Sequence, residues 1–140
     1  METWVHAVAS LILGAVLYPF FGWEVAAVFI GGVMIDFDHY IWYAYNLRKY
    51  NPFECYKYFI KDLEKNDWQD VQGTVLLFHT IEFFVICIIL SFFNTIALLF
   101  TVGLTGHYLL DLIWHLRVSK RVILDHSLIH WIFRKYSTRN

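Results

Sequence analysis

The chain alternates long apolar runs with two short polar, basic stretches. Residues 3–23 contain no Asp, Glu, Lys or Arg. A helix of that length crosses about 30 Å of hydrocarbon, which predicts a span over about 4–21, ended by Gly22 and Glu24. A second apolar run, about 25–45, is interrupted only by Asp36, Asp38 and His39. The uncharged block 83–110 is too long for one span. Phe92-Phe93-Asn94-Thr95 offers a turn, because Asn tolerates non-helical backbone. Division there predicts a third span over about 73–92 and a fourth over about 95–114.

The polar stretches follow a different period. In 46–72, Phe53, Tyr56, Phe59, Ile60 and Leu63 recur at three- and four-residue spacing. This predicts an amphipathic surface helix over about 52–66. Val122, Ile123, Leu128, Ile129, Ile132 and Phe133 predict another over about 119–135. The expected fold is therefore all-α: one membrane domain, 1–140, built as a four-span helical bundle with two interfacial helices.

Composition agrees. Hydrophobic residues make up 59% of the chain and charged residues 16%, against about half and a quarter in soluble domains. All 11 lysines and arginines lie in the 46–72 loop or after residue 116. The two opposite turns contain none. Basic residues stay inside, so both termini are expected in the cytoplasm and the chain in the cell or inner membrane. The N-terminus lacks a basic signal region, so the first apolar run is expected to be retained. Cys55 and Cys87 lack metal-site or disulfide spacing. Without a Gly-rich phosphate loop or a Ser-centred elbow, the basic stretches read as topology and lipid-headgroup determinants. Membrane lipid is the expected partner, and nucleic acid is not.

Each span carries an ionisable group of metal-ligand type. They are His6 in the first; Asp36, Asp38 and His39 in the second; His79 and Glu82 in the third; His107 and Asp111 in the fourth. Such groups are costly in hydrocarbon and mark functional sites. Antiparallel spans bring the histidines to similar depth near the cytoplasmic side. His79/Glu82, His107/Asp111 and Asp36/His39 each share a helix face. Asp38 points about 200° away from Asp36. It is expected to bind a neighbouring ion or to orient a ligand histidine. The competing reading is a structural polar network between helices, but no Lys or Arg in the spans compensates the carboxylates. Imidazole and carboxylate without thiolate suit zinc, with manganese or iron(II) as alternatives, and one or two ions. Glu82 and Asp38 are the candidate catalytic groups, Glu82 as general base. His126 and His130 are expected to be solvated at the interface.

The motif order resembles a family of small bacterial and archaeal membrane-bound, metal-dependent hydrolases, some regulated by the LexA repressor. The likeness rests on His6, on Gly31-Gly32 leading to Asp36-Phe37-Asp38-His39, on His79, and on Gly103, His107 and Asp111. Many members continue the mid-chain motif with an arginine and a second histidine. Here the residues are His79-Thr80-Ile81-Glu82. The resemblance implies hydrolysis of a phosphoester or lipid-like substrate by metal-activated water. The alternatives are a metal-ion carrier or sensor using the same ligands, and a haem protein with His79 and His107 as axial ligands.

Overall fold

A computed structural model describes residues 3–62, 71, 73–114, 116 and 126–137. The described residues are helical or in turns, with no strand element. The helices are α1 (Thr3–Phe21), α2 (Ala26–Val33), α3 (Phe37–Leu47), α4 (Pro52–Lys57), α5 (Ile81–Ser91), α6 (Thr95–Trp114) and α7 (Leu128–Ser137). Two helical stretches are long and apolar enough to cross a membrane: Thr3–Leu47, taken through its 3₁₀ turns, and Thr95–Trp114. The chain divides into two compact units.

The first unit comprises Met1–Asp36 and Phe84–Val122. Its frame is α1, α2 and α6, each packed on the other two. The turn between α1 and α2 is a 3₁₀ helix, Gly22–Val25. Gly22 has φ +56° there, a conformation that costs glycine little. α1 buries His6, Ser10 and Gly14, spaced so as to form one face. Many of its large apolar side chains point outward, with Leu11 60% and Ile12 62% exposed. A soluble amphipathic helix has the reverse arrangement.

Close approach is made by glycine. A Cβ on Gly31 would collide with Phe100 O, and one on Gly103 with Val28 O. Small residues let backbones pack this tightly. Ala27, Val28 and Leu99 form the buried apolar cluster, with Leu13, Leu17 and Phe100 against it. The predicted turn after α5 is present. Asn94 Oδ1 accepts from Ile96 N at 2.8 Å and Ala97 N at 3.1 Å, capping α6. Thr101 Oγ1 lies 3.0 Å from Cys87 O on α5.

The second unit comprises Phe37–Phe83 and Ile123–Asn140. α4 starts where Asn51 caps it, accepting from Phe53 N at 3.0 Å, with Pro52 in the first turn. A π-helical turn, Tyr58–Asp62, continues it. The predicted 52–66 helix is thus helical through Asp62, and residues 63–66 lie outside the described residues. Of the predicted 119–135 helix, 119–125 lie outside them as well. α7 starts at Leu128 and runs to Ser137. It is tied to Gly73 O by Trp131 Nε1 at 3.0 Å and Arg134 Nη2 at 2.9 Å.

The third predicted span differs most from expectation. Only Ile81–Ser91, 11 residues, is α-helical, about 16 Å at helical rise. Leu77–His79 form a 3₁₀ turn and Thr80 is extended. Thr80 Oγ1 accepts from Phe83 N at 3.3 Å and donates to Leu77 O at 2.9 Å. That side chain caps α5 and stops the helix from starting earlier.

Candidate metal centres

The second predicted span is not one regular helix. A 3₁₀ turn, Met34–Asp36, separates α2 from α3. The division between the two units falls between Asp36 and Phe37. Asp36 thus lies in the first unit and Asp38 in the second.

In the first unit, His6, His107 and Asp111 each offer one ligand atom within 4.8 Å of the others. His6 Nε2 is 3.2 Å from Asp111 Oδ1, and His107 Nε2 is 3.2 Å from Asp111 Oδ2 and 3.6 Å from Asp36 Oδ1. The two imidazoles stack, with centroids 3.8 Å apart. His6 on α1 and His107 on α6 are thus in direct contact. His107 Nδ1 lies 2.9 Å from Gly32 O. A carbonyl oxygen only accepts, so Nδ1 donates. In neutral His107, Nε2 then carries a lone pair directed at two carboxylates. That is repulsive unless a cation or a proton stands between them. His6 Nδ1 is buried without a hydrogen-bond partner.

In the second unit, Asp38, His39 and His79 form the other cluster, again with ligand atoms within 4.8 Å. Asp38 Oδ2 accepts from Phe78 N at 3.0 Å and faces His79 Nδ1 at 3.0 Å. Asp38 is therefore placed where it could orient the His79 ring. Its other oxygen, Oδ1, approaches His39 Nδ1 to 3.1 Å. Oδ1 is buried and receives no hydrogen bond, so the pair converges without hydrogen-bond alignment. His39 also packs edge-on against His79 and Phe59, at 4.9 Å each.

Both clusters could hold a metal ion. Each offers one carboxylate and two imidazoles, and in the first Asp36 stands beside His107. Neither cysteine belongs to either group. Such donors suit zinc, manganese or iron(II).

Two pairings differ from helical periodicity. His39 meets its neighbour Asp38, whereas the i,i+3 spacing pairs it with Asp36. Asp36 meets His107 instead, because the 3₁₀ turn resets the rotation per residue. Glu82, predicted as ligand or general base beside His79, is engaged elsewhere. Its Oε1 accepts from Ser127 Oγ at 2.6 Å and Ile129 N at 3.1 Å. Its Oε2 accepts from Leu128 N at 3.0 Å. A carboxylate there satisfies the unpaired first N–H groups of α7 and complements the helix dipole. His79 and Glu82 share no continuous helix, because Thr80 intervenes. His126 and His130 are exposed, as predicted, and His115 lies outside the described residues.

Gly32 O and Phe78 N were not legible as site groups, since backbone atoms leave no residue-type signal. The Gly31-Gly32 pair did mark the place. The chain matches no known protein family, no curated protein and no solved structure.

Proposed function

We propose that this chain is an integral-membrane, metal-dependent hydrolase acting on a phosphoester or lipid-like substrate at the cytoplasmic leaflet. The membrane reading is supported by the outward apolar face of α1 and by two helices of crossing length. In this reading the chain crosses four times, with all 11 basic residues and both termini inside. The third crossing joins α5 to the irregular segment before it. Irregular backbone is tolerated at membrane depth when protein covers it, and Leu76 and Thr80 are buried.

One observation carries the metal reading: His107 Nδ1 donates to Gly32 O while Nε2 faces Asp36 and Asp111. His6, His107 and Asp111 supply three donors, with Asp36 Oδ1 3.6 Å from His107 Nε2. Asp38, His39 and His79 supply three and so leave a position open, as catalytic zinc sites do. When bound, an ion there supplies Lewis-acid activation of water and of an ester oxygen. Asp38 holds His79 in one tautomer, and Glu82 takes no part in proton transfer. The absence of the expected arginine beside His79 leaves the histidines and ion to meet the substrate's negative charge.

Metal content of the purified protein tests this. Wild type is expected to carry zinc, manganese or iron, Asp111→Asn to lose one portion and Asp38→Asn the other. Hydrolysis of a phosphodiester should fail in Asp38→Asn. A metal-free wild type that still hydrolyses it would sink the idea. Metal uptake into proteoliposomes without hydrolysis would favour a carrier using the same ligands.

A further inference from the structure

The second unit contains a cleft of about 270 Å³ between α3 and the segment Val75–Phe78. Asp38 stands on its wall. Apart from Asn46 and Tyr45, the rest of the lining is apolar, including Ile41, Trp42, Leu76 and Leu77. The volume lies just under the range of about 300–1,000 Å³ for sites that enclose a drug-sized ligand. A single flexible chain suits it better than a rigid polar molecule. The polar atom at the wall is also unusual: Asp38 is 6% exposed, and its Oδ1 receives no hydrogen bond.

We infer that this cleft binds one acyl chain of a membrane phospholipid, laying the chain along Ile41 and Leu77 with the headgroup linkage at the Asp38, His39 and His79 cluster. This deepens the hydrolase reading and rests on it for the chemistry at that cluster. It names the substrate class as a long-chain phospholipid rather than a soluble phosphoester. Ile41 and Leu77 are each about half exposed, so larger side chains there fill the cleft without entering a packed core.

The test uses full-length protein reconstituted with a phospholipid carrying a diazirine in one acyl chain, with cross-linked positions read by peptide mass spectrometry. Wild type is expected to label at 41–46 and 75–78 above the level at the outward face of α1. That labelling should be lost in Leu77→Trp and Ile41→Trp and retained in Leu77→Ile. Metal content should stay unchanged in all three. Equal labelling of cleft and α1 overturns the inference, as does undiminished cleft labelling in both tryptophan variants. Cleft labelling in a protein that holds no metal supports the lipid site and defeats the hydrolase reading instead.

Discussion

At the scale of single residues, environment decides role more than residue type does. Glu82 and Asp38 are both carboxylates in apolar sequence, and both read as catalytic candidates. Asp38 meets two imidazoles. Glu82 meets a serine hydroxyl and two backbone N–H groups 45 to 47 residues away. Nothing local to Glu82 announces α7 as its partner. Glu82→Ala is therefore expected to leave metal content unchanged while amide exchange of Leu128 and Ile129 accelerates, measured by hydrogen–deuterium exchange. Loss of metal in that variant would return Glu82 to the site. Cys55 is a second case. Burial pushes its thiol from 9.0 up to about 11. A raised thiol pKa contributes stability below the unfolded value, and that contribution is lost as pH rises toward the folded one. Stability should thus decline between about pH 9 and 11, and Cys55→Ser should flatten the decline in a urea titration. Below pH 9, alkylation of Cys55 should be slow until the protein unfolds.

At the scale of elements, apolar length and turn residues carried much of the reading. α1, α6 and the turn at Phe92–Thr95 follow from uninterrupted apolar runs and from Asn94 as a cap. The break within the second span does not, because Met34 and Ile35 are as apolar as their neighbours. Gly31 and Gly103 let α2 and α6 approach until backbone meets backbone. Gly103→Ala should cost about 1–3 kcal/mol from overpacking, read as a lower thermal midpoint in detergent. Gly106 has nothing within 4 Å of an added Cβ, so Gly106→Ala should leave the midpoint in place or raise it. Equal effects at the two positions would argue against glycine-mediated packing. The regular helix of the third span is shorter than its apolar length predicts. Thr80 capping a helix one residue later is indistinguishable by hydropathy from Thr80 inside one.

At the scale of the whole molecule, charge distribution is the strongest guide. The proposed four-crossing topology requires the N-terminus, the 46–72 loop and the C-terminus on one side. Reporter fusions at residues 1 and 140 should both read as cytoplasmic, and a reporter inserted at Phe93 should read as external. Opposite readings for the two termini would remove one crossing, with α5, the shortest of the apolar segments, as the first to reconsider.

What the sequence alone determined is the helical class, the apolar segments and the set of ionisable residues within them, since apolar length and charge bias act locally along the chain. The Asp36-Phe37-Asp38-His39 cluster and its need for partners were visible at that level. Only the tertiary structure decided which partner each residue meets. A 3₁₀ turn, Met34–Asp36, breaks the helical period just before Asp38. It sends Asp36 to His107 and Asp38 to His39 and His79. Rotation of a few tens of degrees is invisible to hydrophobic pattern, yet it determines which lone pairs converge on one point.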